Sequence, residues 1–387
     1  MNYALRAVTL TGALLVASLP ATLPGTTAVA STKASATYLV GASEPMTGAE
    51  AEAGTEIYNG LVLAVEKVNA AGGVLGHKIR LIEQDDACDP QTSVNAANKL
   101  VSLGVQAMVG GYCSSAAQPA EAIYARAGIP NIQVAANSST LTSAGYHNVF
   151  LIDPGGSLQA AEAASFFSKV LHVTRLLIAD DQSTYAVNVA QLTAKDLRGT
   201  STQVLPVQAV PDTQQDFSAV VNTVRAEKAG AVYWTGYFAQ AAEFVRQLRA
   251  AGLKIPFVTA DGSVDPTFIK DAGSAGNGTY ATIAVLSSFL TGAAAKTFDA
   301  AYVSRFRAQP GPYSAYAYDG IFALVDAIKA AGSLAPSKVI AALHKVRFQG
   351  LTGEVYFAPN GSRLGAHFVV LEVENGQYKL APHQPPA

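Results

Sequence analysis

The chain has 387 residues, half of them hydrophobic, with 26 basic and 28 acidic residues and a formal net charge of −2. This near balance gives no electrostatic reason to expect binding to nucleic acid or to an anionic membrane surface. The length exceeds what one hydrophobic core usually serves, so we expect two lobes.

The first 30 residues have the pattern of a secretory signal peptide. Arg6 is followed by an apolar run over residues 7–19, which is too short to span a bilayer, and Ala28-Val29-Ala30 offers small residues for cleavage. We therefore expect an exported, periplasmic protein. An oxidising compartment would permit a disulfide between Cys88 and Cys113, although two unrelated buried thiols are the alternative.

From residue 37 onward, short apolar strands alternate with amphipathic helices. The first predicted strands lie at residues 38–41, 79–82, 107–110 and 129–134. The helices between them lie at residues 55–71, 92–103 and 115–127. A second series has strands at residues 175–179, 203–206, 231–234 and 256–259, each followed by a helix. This alternation predicts an α/β fold whose parallel sheets are covered by helices on both faces.

The last third of the chain has a different pattern. Residues 280–286 predict a strand that could carry the chain back to the first lobe, and helices follow near residues 293–308, 315–331 and 336–345. Residues 353–357, 367–374 and 377–380 predict antiparallel strands, with turns at Asn360-Gly361 and Asn375-Gly376. We assign residues 1–30 to the signal peptide, residues 37–155 and 285–355 to lobe 1, and residues 156–284 and 356–387 to lobe 2.

Sequence motifs for catalysis are absent. The chain has no nucleophile elbow, phosphate loop, HExxH, paired CxxC, or GxGxxG after the first strand, and its six histidines lack metal-ligand spacing. Asp85, Asp86 and Asp89 could hold a hard cation, but the spacing favours a solvated loop in which Asp89 caps the next helix. We therefore expect neither an enzyme nor a bound metal or cofactor.

Polar groups follow several predicted strands, at the ends where open parallel sheets bind their ligands. Ser114 and Ser115 begin the helix after the strand at residues 107–110, and a helix start offers N–H groups and hydroxyls to an anion. The turn at residues 135–140 adds further polar groups after the next strand. An ordinary helix cap and an ordinary polar turn are the alternative interpretations.

Asp261 follows the strand at residues 256–259 and could hold an ammonium group, or it could simply form the turn. Tyr112, Tyr185 and Tyr237 begin loops and could wall a pocket, or they could be aromatic residues of the lobe surfaces. With the anion candidates, these residues predict a site with an anion end, a cation end and aromatic walls. A zwitterionic amino acid requires those three features.

From about residue 37 to its C terminus the chain resembles the periplasmic leucine/isoleucine/valine-binding proteins, the type I substrate-binding components of ABC transporters. The resemblance is most specific in NAAGGVLGHKIRLIEQDDACDP, GYCSSAAQPAEAIYARAGIP, TQQDFSAVV and VYWTGYFAQAAEFVRQLRAAGL. It implies a type I periplasmic binding protein fold, in which two Rossmann-like lobes are joined by a three-segment hinge.

The resemblance also implies roles for individual residues. The ligand α-carboxylate would be held by Ser114 and by the turn of Ala135, Ala136 and Asn137. The α-ammonium would be held by Asp261 and Tyr237, and Tyr185 would close over the site. Tyr112 and Tyr318 would contribute to the side-chain pocket.

Three residues depart from the family pattern. Ala53 stands where the family usually has an aromatic residue, Asn137 replaces a threonine, and Asp261 replaces a glutamate. The loss of the aromatic residue predicts a larger or more open pocket, and the shorter Asp261 predicts a ligand drawn deeper.

The resemblance implies a monomeric binding protein that closes on a branched-chain or related apolar amino acid and presents it to a membrane permease. Two alternatives remain open. One is a protein of the same fold that binds an amide, urea or an aromatic carboxylate, and the other is the ligand-binding module of a sensory system.

Overall fold

The computed structural model describes Thr9, residues 37–284 and residues 286–385. The predicted signal peptide, apart from Thr9, lies outside the described residues. Backbone contacts place both sheets in one unit, residues 35–387, so the boundaries of the two lobes stay a prediction.

The first part of the chain alternates strands and helices as its hydrophobic pattern predicts. Its strands are β1 (Thr37–Glu44), β2 (Lys78–Asp85), β3 (Ala107–Gly110), β4 (Asn131–Gln133) and β5 (Val149–Leu151). Its helices are α1 (Ala51–Ala70), α2 (Pro90–Ser102), α3 (Ser114–Ala127) and α4 (Ser139–Ser143). Among the described residues, these strands form a parallel sheet in the order β2-β1-β3-β4-β5. The prediction of a parallel sheet is confirmed here, although β5 was not predicted.

The second part repeats the alternation. Its strands are β6 (Arg175–Asp180), β7 (Gln203–Val204), β8 (Gln208–Ala209), β9 (Ala231–Trp234), β10 (Phe257–Thr259) and β11 (Thr279–Ile283). Its helices are α5 (Gly156–Ser165), α6 (Thr184–Asp196), α7 (Ser218–Ala226), α8 (Phe238–Ala250) and α9 (Pro266–Ala272). A turn of π-helix at Phe166–Val170 extends α5.

The last third supplies helices, a hairpin and two further strands. They are α10 (Ala293–Phe306), α11 (Ser314–Ala331), α12 (Pro336–Leu343), β12 (Arg347–Gly350), β13 (Gly353–Tyr356), β14 (Val369–Glu374) and β15 (Gln377–Leu380). The second sheet runs β15-β14-β11-β10-β9-β6-β7, with β8 also paired to β6. It is mixed, because β14 is antiparallel to β11 and β15 is antiparallel to β14.

Two of the predicted turns have different outcomes. The turn at Asn375-Gly376 is confirmed: both residues have positive φ, 51° and 73°, as a two-residue hairpin turn requires, and they join β14 to β15. The turn at Asn360-Gly361 joins no such pair, because β13 pairs back with β12. After that turn only an isolated bridge between Phe357 and Arg363 forms.

Helices α10 and α11 both pack against α1, so the chain returns from the second sheet to the helices of the first. The approach of α1 to α11 is close at Gly60. A β-carbon there would lie 2.4 Å from the Ser314 carbonyl oxygen, so a larger residue would push the helices apart. This packing fixes the start of α11 beside the carboxyl ends of the first sheet.

No helix among the described residues is long and apolar enough to cross a membrane.

Candidate functional site

The carboxyl ends of the two sheets carry the polar residues that the sequence singles out. In the first sheet Ser114 follows β3 and Asn137 follows β4, while in the second Tyr237 follows β9 and Asp261 follows β10. Parallel strands end at the same edge, so their following loops cluster there. Hydrogen bonds between the two sets of loops bring both edges together.

The start of α3 is fixed by the disulfide. Cys88 and Cys113 are bonded, as predicted, with their α-carbons 5.3 Å apart. Cys113 occupies the N-cap position, so the interpretation of Ser114 and Ser115 as helix caps is wrong. Ser114 is instead the first helical residue, fully buried, and its hydroxyl accepts a hydrogen bond from the Ser138 N–H at 3.2 Å. That leaves the hydroxyl hydrogen of Ser114 for another acceptor.

The turn after β4 offers fewer free donors than the resemblance implies. The N–H groups of Ala135 and Ala136 both donate to the Gly111 carbonyl, at 3.0 and 3.2 Å, so they are engaged within the first sheet. The backbone N–H of Asn137 has no partner among the described residues. The Ser114 hydroxyl and the Asn137 N–H therefore remain as donors for an anion on this side.

Asp261 sits at the centre of a buried polar network. Its carboxylate accepts hydrogen bonds from the Tyr185 hydroxyl and, at 3.0 Å, from the Asn137 side-chain amide. The same amide donates to the Asp153 carboxylate at 2.8 Å. One amide from the first sheet thus links two buried carboxyls, one from each sheet. Asp153, which follows β5, was not among the predicted site residues.

The charge of this network is poorly compensated. Burial raises the pKa of Asp261 to about 6, although hydrogen bonds from Tyr185, Gln159, Asn137 and Gly262 oppose the shift. Burial, and then the nearby Asp261 carboxylate, raise the pKa of Asp153 well above its usual range. Ionising both of two adjacent buried carboxyls costs free energy, because their charges repel. A proton on one of them, or a ligand cation between them, is therefore favoured.

Three tyrosines predicted as walls of the site do lie together. The Tyr237 ring is 5.5 Å from that of Tyr112 and 5.6 Å from that of Tyr185, centroid to centroid. Gly262 lies against two of these rings, because a β-carbon there would approach both Tyr185 and Tyr237 to 3.0 Å. The Tyr112 hydroxyl donates to the Gly262 carbonyl at 3.2 Å, which joins the first sheet to the second.

Tyr318 lies apart from these residues, and the fourth tyrosine of the cluster is Tyr313. Tyr313 is 5.5 Å from the Tyr112 ring, whereas Tyr318 packs on Phe298 and Phe322. Tyr318 is five residues further along the chain, a rotation of about 140° around the axis of α11. The expectation for Tyr318 is therefore corrected to Tyr313, which no predicted strand end could have indicated.

One departure from the family pattern and one further buried residue remain to be placed. Ala53 is 1% exposed in the first turn of α1 and belongs to the hydrophobic core. Gln159, which the sequence did not single out, is fully buried and donates to the Tyr185 hydroxyl at 3.3 Å. It orients the tyrosine that holds Asp261.

The acidic loop after β2 forms its hydrogen bonds within the protein. Asp85 accepts from the Met46 N–H at 2.9 Å, and Asp86 accepts from the Ser43 hydroxyl at 3.0 Å. Asp89 caps α2 by accepting from the Thr92 N–H at 2.7 Å, as predicted. In the part of the chain that the structure describes, no group of three or more metal-ligating side chains could hold a metal ion.

Comparison with known proteins agrees with this architecture. The sequence model of the family described as "Periplasmic binding protein" matches residues 37–377, and the chain belongs to that family. An amino acid binding protein of Pseudomonas aeruginosa is 31% identical over 357 residues, which cover 91% of this chain and 94% of that protein.

Two solved structures are similar throughout. A leucine binding protein of Thermotoga maritima has a TM-score of 0.83 and 25% identity, over 90% of this chain and 99% of that one. A branched-chain amino acid transporter substrate binding protein of Streptococcus pneumoniae, in complex with isoleucine, has a TM-score of 0.80 and 26% identity, over 89% of this chain and 98% of that one. The predicted type I periplasmic binding protein fold is confirmed.

Proposed function

We propose that this chain is the solute-binding component of an ABC transporter and that it binds one α-amino acid between the carboxyl ends of its two sheets. Asp261 holds the α-ammonium, with Tyr237 and Tyr185 beside it. The Ser114 hydroxyl and the Asn137 N–H hold the α-carboxylate. The side chain of the ligand is branched or a related apolar group, and it extends along Tyr112 and Tyr313.

The observation that carries this proposal is the hydrogen bond from Asn137 to Asp261. It links a donor on the first sheet to a buried carboxylate on the second, at 3.0 Å. A zwitterion inserted there replaces that bond with two stronger ones, because its ammonium donates to Asp261 and its carboxylate accepts from the Ser114 and Asn137 side. The ligand then contacts both sheets, and contacts made from both sides favour the closed arrangement.

The relatives support this choice of solute. The Pseudomonas protein is named for amino acid binding and the Streptococcus structure holds isoleucine. In this proposal the protein is exported to the periplasm, acts as a monomer and presents its closed form to a membrane permease. Lobe 1 comprises residues 37–155 and 285–355, and lobe 2 comprises residues 156–284 and 356–387.

Calorimetric titration of the mature protein, unfolded and refolded to strip carried ligand, tests the proposal. L-leucine should bind at one saturable site. 4-Methylpentanoate, which lacks the ammonium, and 3-methylbutylamine, which lacks the carboxylate, should each bind at least about 100-fold more weakly, since each loses charged hydrogen bonds. Benzoate and urea complete the panel. Binding of either in preference to leucine would contradict an amino acid function.

A further inference from the structure

A second group of carboxyls lies near the amino acid site, around a cavity of about 610 Å³. The cavity lies between the loops after β1 and β2 and the start of α3 on one side and the loops after β6, β8 and β9 on the other. Four acidic residues line it, and the described lining residues include no lysine, arginine or histidine. We call it the acidic cavity, and its acids are Glu50, Asp89, Asp181 and Asp212.

Glu50 is the buried member of this group that lacks a partner. The residue is 9% exposed, its Oε2 is buried without a hydrogen-bond partner, and no ion pair reaches it among the described residues. Burial, followed by the charges of Asp181 and Asp265, raises the pKa of Glu50 to about 8. An unpartnered buried carboxyl costs stability, which a complementary donor or cation would recover.

The neighbours of Glu50 belong to the opposite sheet. Asp181 follows β6 and is 3% exposed, and its carboxylate accepts from the N–H groups of Ser183 and Tyr237, at 2.9 and 3.3 Å. Asp265 is 2% exposed and caps α9. Closing the two sheets therefore brings like charges together. A proton on Glu50 relieves the repulsion, and a bound cation would do so by attraction.

Tyr237 connects the acidic cavity to the amino acid site. It lines the cavity, and its ring is 5.6 Å from Tyr185, whose hydroxyl donates to Asp261. The Tyr237 hydroxyl is buried without a hydrogen-bond partner in the described structure. The Tyr237 ring is 5.5 Å from that of Tyr112, along which the ligand side chain extends. Aromatic faces attract cations, so a stem that runs along these two rings and ends in a positive group meets a favourable surface.

We propose that the acidic cavity receives a positively charged group at the end of the ligand's side chain, so that the cleft binds amino acids with cationic side chains in addition to apolar ones. The inference rests on the proposed function, because the α-amino and α-carboxyl groups are held as described there. An ammonium and a guanidinium share the required chemistry, and L-lysine and L-arginine carry them.

Matched pairs of ligands isolate the effect of the charge. L-lysine is compared with L-norleucine, which has the same stem without the ammonium, and L-arginine with L-citrulline. The cationic member of each pair should bind at least about tenfold more tightly at pH 7, because it gains one charge-assisted hydrogen bond. The binding of lysine should also release a proton from Glu50. The heat of lysine binding should therefore depend on the ionisation enthalpy of the buffer more strongly than the heat of norleucine binding does.

A pair of variants assigns the preference to the cavity. Glu50→Gln should reduce the ratio of norleucine to lysine dissociation constants to below about threefold and abolish the proton release. Glu121→Gln makes the same change at a buried glutamate of α3 that does not line the cavity, and it should leave that ratio unchanged. Circular dichroism confirms that both variants are folded.

The outcomes separate the two proposals. If leucine and norleucine bind but lysine binds no more tightly, the acidic cavity does not recognise cations and the proposed function stands. If no amino acid binds, both proposals are overturned. If calcium chloride alone binds with proton release and displaces lysine, the cavity is an inorganic cation site and the inference is wrong.

Discussion

Asn137 provides the contact that joins the two buried carboxyls of the site. Its amide donates to Asp153 on one side and to Asp261 on the other, while its Oδ1 has no partner among the described residues. The family threonine at this position has one hydroxyl and could not donate to both carboxyls at once. The Asn137 amide instead reaches the Asp261 carboxyl directly, at 3.0 Å.

Asp261 should be essential for amino acid binding. Asp261→Asn keeps the size of the side chain but removes the negative charge, so the α-ammonium would be buried without its counter-ion. We expect leucine affinity to fall at least about 100-fold in calorimetric titration, with an unchanged circular dichroism spectrum. Asp196→Asn, on the exposed side of α6, is the matched control and should bind leucine normally. Normal binding by Asp261→Asn would remove Asp261 from the site.

Glu121 should make the stability of the protein depend on pH. Both of its carboxyl oxygens are buried without a partner, and burial raises its pKa from the ordinary 4.5 to about 9. Between these values the folded protein keeps a proton that the unfolded chain loses, so this residue makes stability fall as the pH rises.

Glu121→Gln removes that titration. The advantage of the variant over the parent in the free energy of unfolding should be about 3 kcal/mol larger at pH 8 than at pH 6. Urea unfolding at both pH values measures it. An advantage that is the same at pH 6 and pH 8 would show that Glu121 does not titrate in this range.

Among the elements, the loop after β2 and the start of α3 are braced by one disulfide that closes a separation of 25 residues. Cys88→Ala combined with Cys113→Ala should lower the free energy of unfolding by about 3 kcal/mol, because the unfolded chain regains the freedom of that loop. Urea unfolding with and without a reductant provides the comparison. The reductant should destabilise the parent and leave the double variant unchanged. Equal effects on both would contradict the prediction.

The elements differ in how far the sequence could predict them. The hairpin of β14 and β15 follows from Asn375-Gly376, whose positive φ values suit those residues. The hairpin of β12 and β13 was missed because Arg347–Gly350 shows little hydrophobic alternation and is half-buried or exposed. The second sheet could be predicted from its apolar strands, whereas the choice of β12 as the partner of β13 depends on long-range packing.

The candidate site shows the same limit. Ser114, Asn137 and Asp261 were found because each follows a predicted strand, and that placement depends only on local pattern. Tyr313 lies just before α11 and does not follow a strand, so the same pattern could not indicate it. Glu50 precedes α1 in a loop whose burial comes from the opposite sheet, and sequence pattern does not report such burial.

For the whole molecule, direct hydrogen bonds between the loops of the two sheets hold the closed arrangement. Ser115 accepts from the Thr184 N–H at 2.9 Å, and the Asn188 side chain accepts from the N–H and the hydroxyl of Ser139, each at 3.1 Å. Neither pair belongs to the proposed ligand site. These contacts exist only when the sheets are together, so they add to the affinity for every ligand alike.

Asn188→Ala should therefore weaken the binding of all amino acids by a similar factor, without changing the order of their affinities. The factor should be about fivefold, because the closed state loses roughly 1 kcal/mol. Calorimetry measures the affinities, and small-angle X-ray scattering should show a larger radius of gyration without ligand. Gln191→Ala, an exposed residue of the same helix, is the control and should bind normally. A change in the order of the ligands would mean that Asn188 contacts the ligand itself.

A crystal structure of the mature protein with L-leucine tests the central claim most directly. We predict one leucine between the sheets, with its α-nitrogen about 2.7–3.2 Å from an Asp261 carboxylate oxygen and its carboxylate at a similar distance from the Ser114 hydroxyl and the Asn137 N–H. Asn137 would no longer donate to Asp261. A leucine held away from Asp261, with the hydrogen bond between Asn137 and Asp261 intact, would contradict the claim.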